Sequence, residues 1–281
     1  MKTSIIIPLG LFLLALFVGC KRAELNRETS TTEDHALAES MVNDLYSVCL
    51  EAIAVNESGF HKEETPLFFL GDGALLNSSQ EDSTDYPRVL TISFDEEGCL
   101  GSDGRRRYGA VSITIDGPYE TQGTRVSITP TEYRVDLIGL SGKQWLENLG
   151  SNTAGNLEFN HLVREVRVTE DGFVISFNAT YTREWIAGRS TDLLTNGITA
   201  FLDDDFRIEG FADGVSKDGQ IYRTEIEEPI LHRIGCRWIL EGEIDLIPEQ
   251  IKTRHIFYGS GRCDNEVEVE IGSNSFDTTM R

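Results

Sequence analysis

The stretch Gly259 to Ile271 reads GSGRCDNEVEVEI, a glycine-rich turn followed by a strict alternation of residue types. The alternating half places glutamates on one face of a strand and Val or Ile on the other, as in a half-buried strand. The turn places Cys263 beside Asp264 and Asn265, where a cysteine could be a nucleophile, a metal ligand or half of a disulfide. The alternation therefore indicates the fold, and the role of the cysteine depends on the rest of the chain.

The same period of two recurs along most of the chain beyond Leu75. It is clear from Val111 to Asp116 (VSITID), from Phe173 to Asn178 (FVISFN) and in a predicted strand from Trp238 to Ile247. Turn signals separate the runs, at 102–104 (SDG), 116–118 (DGP), 170–172 (EDG), 213–214 (DG) and 217–219 (KDG). No room remains for crossover helices, so the sequence predicts a mainly β fold, an antiparallel meander forming a curled open sheet or a partial barrel. Gly139 to Gly155 breaks the pattern and predicts a long loop or a short helical turn.

Residues 32–56 predict one amphipathic helix ahead of the β domain, which we assign to residues 57–281. Apolar residues recur there at spacings of three and four: Leu37, Met41, Leu45, Val48, Cys49 and Ala52. Thr31 or Thr32 can cap this helix, and Glu33 and Asp34 fall in its first turn, where the helix dipole favours negative charge. The polar face is acidic, so we expect the apolar stripe to pack on the β domain and not on a membrane.

The chain begins MKTSIIIPLGLFLLALFVGCKR, with an apolar run from Ile5 to Val18 ahead of Gly19 and Cys20. This run is short for a spanning helix, which needs about 20 apolar residues. We therefore predict a signal peptide over residues 1–19 with a lipoprotein cleavage site, and a tether over residues 20–31. Cys20 would carry several acyl chains, which suffices for stable membrane anchoring. Lys21 is not the Asp that retains lipoproteins at the inner membrane, so we expect the outer membrane, facing the periplasm or the surface.

The charge balance is strongly acidic, with 25 basic against 47 acidic residues. Such a chain repels phosphate backbones, and no basic stripe interrupts it, so a nucleic-acid partner is not predicted. The chain has only seven prolines. No proline-rich or serine-rich linker divides residues 86–271, which predicts one continuous β domain.

Two segments resemble a family of Bacteroidota-type predicted outer-membrane lipoproteins. Residues 90–117 contain a Gly-Cys-x-Gly-x-Asp-Gly-Arg hairpin, GCLGSDGR, and residues 236–272 end in a closing Cys-Asp-Asn hairpin. The similarity extends over the helix and most of the β region. It implies this architecture and an envelope location, and it implies no activity.

No motif for catalysis or metal binding stands out. The histidines, at 35, 61, 161, 232 and 255, form no close ligand pair, and no nucleophile elbow or phosphate-binding loop occurs. Asp203, Asp204 and Asp205 could offer oxygen ligands to calcium, but their spacing does not match a calcium loop. We therefore predict no catalytic residue, metal or cofactor.

Aromatic residues are a better lead for ligand binding. Six are spread over the predicted strands: Tyr119, Tyr133, Tyr181, Trp185, Tyr222 and Trp238. An aromatic row on a sheet face can stack on sugars or receive a peptide. The alternative is that these rings belong to the core of the sheet.

Four cysteines remain once Cys20 is assigned to the lipid, and an oxidising compartment permits them to pair. Geometry favours one pair. If the strand Trp238 to Ile247 turns back so that Leu246 faces Thr253, the same register makes Cys236 face Cys263, within disulfide reach. Pairing of the other two, Cys49 and Cys99, would require the helix end to lie on the first hairpin, and it stays an open alternative.

These features predict a non-enzymatic, lipid-anchored β protein of the cell envelope with a binding or structural role. Its expected partners are the membrane, through Cys20, and a protein or a glycan. Two alternatives remain open: a carrier that holds a lipid or another hydrophobic ligand in its curled sheet, and an envelope hydrolase. A continuous apolar cavity would favour the carrier, and a filled core with an exposed aromatic strip would favour the binding module.

Overall fold

The computed structural model of the protein describes residues 29–59, 68–80, 85–191 and 193–280. A long helix, α1, spans Ser30–Ser58, and one antiparallel sheet of 14 strands follows it. The strands are β1 (Leu75–Ser78), β2 (Arg88–Ser93), β3 (Cys99–Leu100), β4 (Arg106–Ile115), β5 (Arg125–Val135), β6 (Ile138–Ser151), β7 (Leu157–Glu170), β8 (Phe173–Ala187), β9 (Asp205–Val215), β10 (Ile221–Arg233), β11 (Glu241–Pro248), β12 (Arg254–Phe257), β13 (Glu266–Ile271) and β14 (Asn274–Thr279). A short helix, α2 (Leu193–Asn196), and a 3₁₀ helix (Gly197–Phe201) lie between β8 and β9.

The sheet is a meander in which nearly every strand pairs with its neighbours in sequence. The exception is β3, which pairs only with β4, so that β2 and β4 are adjacent. The order runs from β1 at one edge to β14 at the other, and the sheet is open. The predicted class, a mainly β antiparallel meander preceded by one helix, is confirmed.

Helix α1 lies inside the curled sheet and is not a one-sided amphipathic helix as predicted. Every residue from Asp34 to Ile53 is buried, including the charged ones. Residues on all sides of the helix meet a sheet that reaches from Arg88 on β2 to Met280 after β14. A single open sheet can enclose a helix in this way only if it curls around it. The predicted bounds, 32–56, were close, but the acidic face is covered by protein and not by water.

Backbone bulges give the sheet part of its curvature. On β7 the buried side chains fall at odd positions up to Val163 and at even positions from Val166 onward, with Glu165 at a positive φ of 56° between them. Opposite this bulge lies Gly142 on β6, where a Cβ atom would approach Val166 Cα to 2.7 Å. An inserted residue of this kind bends the strand and increases its twist. The bulge therefore helps β6 and β7 to wrap around α1.

A polar chain ties the middle of α1 to the inner face of the sheet. The fully buried Arg183 donates from Nε to His161 Nδ1 (2.9 Å), and His161 Nε2 contacts Gln144 Oε1 (2.9 Å). Gln144 Nε2 donates in turn to the carbonyl oxygen of Val42 on the helix (3.1 Å). Burial and the neighbouring Arg183 charge hold the pKa of His161 well below its usual range, so its neutral ring accepts at Nδ1 and donates at Nε2. Such a chain fixes the rotation of α1, because each of its members is buried.

Two predicted interruptions are regular strand. The segment 139–155, expected to be a loop or a helical turn, is mostly β6, in which Gln144 and Asn148 are buried and conceal the alternation. The predicted turn at Asp213-Gly214 lies within β9. A Cβ atom on Gly214 would come within 2.3 Å of the Tyr222 ring, so this glycine makes room for a core aromatic side chain.

The predicted bond between Cys236 and Cys263 is present, with 5.9 Å between the Cα atoms. The register that led to it was wrong by one residue, because Leu246 pairs with Arg254 and not with Thr253. Neither cysteine lies in a strand: the bond joins the β10–β11 connection to the β12–β13 loop. It therefore closes the end of the β11–β12 hairpin, and Cys263 is a half-cystine and not a nucleophile.

The alternative pair, Cys49 with Cys99, is not formed, and both side chains are buried thiols. Cys99 Sγ instead accepts the backbone N–H of Asp95 (3.3 Å). Burial, with the charge of Asp44 nearby, raises the pKa of the Cys49 thiol well above its usual value. A protonated thiol of this kind behaves as a small apolar core residue.

Candidate functional site

The predicted lipidation site, Cys20, lies outside the described residues, as do the signal peptide and most of the tether. In the part of the chain that the structure does describe, no helix is long and apolar enough to span a membrane. The lipid anchor therefore stays a prediction from the sequence.

The predicted aromatic row is mainly core. Tyr119, Tyr133, Tyr181 and Tyr222 are at most 5% exposed, and the hydroxyl groups of the first three meet side chains of helix α1. Tyr133 donates to Asp44 Oδ2 (2.6 Å), and the Tyr119 hydroxyl lies 3.3 Å from that of Tyr46. Trp185 and Trp238 are partly buried against the same core. These rings fill the space between sheet and helix, and the hydroxyl groups of Tyr119 and Tyr133 find polar partners there.

A different tryptophan lies on the outer face. On β6, Gln144 and Leu146 point inward to the helix and core, so Trp145 between them points outward and is 36% exposed. It lies in a shallow recess of about 510 Å³, which we call the Trp145 groove. The groove is lined by Thr114, Asp116, Arg125, Val126, Ser127, Trp145, Leu146, Glu147, Asn160, Leu162 and Arg164. Two other recesses, of about 570 and 560 Å³, have more polar linings.

Strand register aligns four mainly apolar side chains in a line that begins in this groove. Trp145 pairs with Leu162 on β7, Leu162 pairs with Thr180 on β8, and Thr180 pairs with Phe211 on β9. Directly opposed residues share a face, so these four side chains form one line across the strands, which we call the outer row. Neighbouring strands lie about 4.8 Å apart, so the outer row is about 14 Å long. The Arg223 guanidinium covers one side of Phe211, 4.4 Å from the ring centre.

Charged side chains at the rim of the groove are held by contacts within the sheet. Arg125 pairs with Glu147 (3.1 Å), and the backbone N–H of Arg125 donates to Asp116 Oδ1 (2.7 Å). Arg164 donates to the carbonyl oxygens of Val163 and Ala179 and to Thr180 Oγ1 (3.0 Å). The rim carries two positive and two negative side chains, and the arginine stems leave the groove surface mainly apolar.

The other sequence candidates do not converge. His35, His161 and His232 are buried at different points of the interior, and His255 is exposed beside Asp245. Within the described residues, no group of three or more His, Cys, Asp or Glu side chains is arranged to hold a metal ion.

The triple aspartate divides into three separate environments. Asp203 is exposed and meets Thr191 Oγ1 (3.1 Å), whereas Asp205 forms a two-point ion pair with Arg233 (2.7 and 2.8 Å). Asp204 is buried and accepts the indole N–H of Trp185 (3.2 Å). Burial raises the pKa of Asp204 to about 8, against the hydrogen bond from Trp185, and neighbouring carboxylates add to the rise.

The raised pKa of Asp204 predicts a pH dependence of stability. The folded state keeps a proton that the unfolded chain releases above about pH 4, so this group favours folding at low pH. Its contribution is lost as the pH rises from about 4 to about 8, and amounts to a few kcal/mol. We expect Asp204→Asn to remove this part of the pH dependence of the free energy of unfolding, measured by urea unfolding at several pH values. Asp203→Asn is the exposed control and should keep most of this pH dependence, because burial, the largest cause of the raised pKa of Asp204, stays in place. Parallel curves of unfolding free energy against pH for the wild type and Asp204→Asn would contradict the assignment.

No family model, curated protein or solved structure matches this chain. The curled sheet, the helix inside it and the outward groove therefore carry the functional argument.

Proposed function

We propose that this protein is a lipid-anchored, non-enzymatic binding module of the bacterial cell envelope, held at the outer membrane by an acylated Cys20. The observation that carries the binding role is the Trp145 groove, an apolar recess on the outer face of a rigid sheet. Apolar recesses with a few polar groups at their rim are the usual form of ligand sites. The anchor is supported by the apolar run from Ile5 to Val18 and the Gly19-Cys20 pair that follows it.

The interior of the sheet supports a binding module over a carrier. A carrier would hold its hydrophobic ligand against the concave face, and helix α1 occupies that face. The same face also contains four fully buried arginines, Arg88, Arg107, Arg183 and Arg254. An apolar ligand in place of the helix would remove the contacts that Arg88, Arg107 and Arg183 make with Asn56, Asp44 and Asn43 of α1, which is costly for buried charges.

The charge of the protein supports attachment to the membrane through the lipid chains on Cys20 and not through the protein surface. With 47 acidic against 25 basic residues, the domain is repelled by anionic head groups. The proposal therefore includes the membrane as a partner only through Cys20, and it includes no nucleic acid.

Labelling with radioactive palmitate tests the anchor. The wild-type protein should incorporate label and fractionate with outer membranes, and Cys20→Ala should incorporate none. Phe17→Leu is the matched control, because it changes the same segment and leaves the cysteine in place, and it should stay labelled. An unlabelled wild type, or a labelled Cys20→Ala variant, would show that the lipoprotein assignment is wrong.

A further inference from the structure

We propose that the Trp145 groove and the outer row bind an uncharged, unbranched oligosaccharide. This inference rests on the proposed binding function and names the ligand class for the same site. It follows from three properties of the site: the backbone around it, its apolar floor and its charge.

The backbone at the groove excludes the commonest way of binding a peptide to a sheet. An added peptide strand needs unpaired N–H and C=O groups, which a sheet offers at its edges. At Trp145, strand β6 is already paired with β5 on one side and with β7 on the other. The groove lies in the middle of the sheet, so a ligand there has to be recognised by side chains alone.

The floor and rim of the groove fit a sugar. A pyranose ring presents C–H groups on its faces and hydroxyl groups around its edge, so it needs an aromatic surface surrounded by polar groups. Trp145 and Leu162 supply the apolar surface. Arg125, Glu147 and Asn160 supply planar side chains with at least two polar atoms each, which can meet adjacent hydroxyls. The Arg125 guanidinium and the Glu147 carboxylate lie 3.1 Å apart, so donors and acceptors for adjacent hydroxyls stand side by side at the rim.

The charge and the length of the site narrow the class of sugar that it can bind. Arg125 and Arg164 are balanced by Asp116 and Glu147, so the groove offers no net attraction to a charged ligand. An anionic ligand would also meet a chain with a formal net charge of −22. The outer row continues for about 14 Å to Phe211, farther than one sugar ring reaches, which favours a short chain of sugars.

Calorimetric titration of the mature lipidated protein in phosphatidylcholine nanodiscs tests this proposal. The probes are neutral hexasaccharides of glucose, mannose, xylose and N-acetylglucosamine, with hexagalacturonate as the charged comparison. We expect at least one neutral hexasaccharide to bind and to bind more tightly than hexagalacturonate. Trp145→Ala should weaken that binding by about tenfold or more, equivalent to about 1.4 kcal/mol. Phe211→Ala should weaken binding of the hexasaccharide by about threefold and leave unchanged the binding of a disaccharide of the same sugar, which is too short to reach Phe211 from Trp145.

Two controls keep the result decisive. Leu137→Ala changes a side chain that is 83% exposed and outside the outer row, and it should bind as wild type does. Asn160→Ala removes a rim amide without changing the apolar floor, so it should also weaken binding if Trp145→Ala proves unstable. Absence of binding to every neutral probe, tighter binding of hexagalacturonate, or binding unaffected by both Trp145→Ala and Asn160→Ala would overturn the proposal. Palmitate labelling of the same preparation separates this failure from failure of the envelope assignment.

Discussion

The substitution Asp44→Ala is expected to lower the free energy of unfolding by about 3 to 5 kcal/mol, because it leaves buried guanidinium groups without their shared carboxylate. Asp44 lies on α1, and its side chain is fully buried. Its Oδ1 meets Arg107 Nη2 at 2.5 Å and Arg105 Nη2 at 2.8 Å, and its Oδ2 accepts the Tyr133 hydroxyl at 2.6 Å. After the substitution both arginines keep Asp103, Arg107 at 2.6 Å and Arg105 at 2.9 Å, but one carboxylate balances only one of the two positive charges.

Urea unfolding at pH 7 measures this loss. Glu33→Ala is the control on the same helix, since Glu33 is partly exposed, and it should cost less than about 1 kcal/mol. Combining Asp44→Ala with Arg107→Met should cost less than the sum of the two single changes, because the second change removes a stranded charge. A loss below about 1 kcal/mol for Asp44→Ala would show that this cluster does not hold the helix in the sheet.

The same carboxylate gives an acid limb to the stability profile. Burial by itself would raise the pKa of Asp44, but Arg107, Arg105 and the hydrogen bond from Tyr133 outweigh it and lower the pKa to about 2. The ionised form therefore stabilises the fold above about pH 4, and this contribution is lost as the pH falls from about 4 towards 2. The Asp44→Ala variant should lose less stability across that interval than the wild type.

The sheet could be predicted because its signal is local. Alternation in segments such as 111–116 needs only neighbouring residues to be recognised, and turn residues mark where each strand ends. The disulfide could be predicted from the hairpin despite a register error of one residue. Cys236 and Cys263 lie in loops, not in strands, at the same end of the β11–β12 hairpin, so their pairing does not depend on the exact register. Local patterns therefore fixed the class of fold and one covalent link.

The position of the helix could not be predicted, because its signal is not local. In the sequence, Asn43 and Asp44 look like residues of a solvent-exposed helix face. Nothing near them shows that Arg183 and Arg107 will contact them. These partners are 140 and 63 residues away. A buried polar residue cannot be distinguished from an exposed one in the sequence until its partner is known. A helix with two buried faces therefore looks like an amphipathic helix.

The Trp145 groove was concealed for a related reason. Gln144 and Asn148 are polar but point inward, which made β6 look irregular and hid the outward tryptophan between them. A signal for the curvature was present, however. The apolar phase of β7 changes between Val163 and Val166, and a change of phase within one strand indicates a bulge.

That bulge provides the second large effect: Gly142→Ala is expected to lower the free energy of unfolding by about 3 to 5 kcal/mol, from backbone strain together with a steric clash. Gly142 has a φ of +113°, which side chains other than glycine rarely adopt. A Cβ atom there would lie 2.7 Å from Val166 Cα and 2.8 Å from the Glu165 oxygen. Both are backbone atoms, so β6 and β7 would have to separate where the sheet bends around α1.

Gly172→Ala is the matched control for this prediction, because Gly172 also has a positive φ (84°) but a Cβ atom there would meet nothing within 4 Å. It should cost only about 1 kcal/mol, the conformational penalty without the clash. Urea unfolding of both variants therefore separates the conformational penalty from the steric clash. Equal losses of unfolding free energy would show that the close approach of β6 and β7 contributes nothing. Gly142 lies three residues from Trp145 on the same strand, so separation of the strands should also disturb the groove. Oligosaccharide binding by any folded Gly142→Ala protein should accordingly fall, while Gly172→Ala should bind as the wild type does.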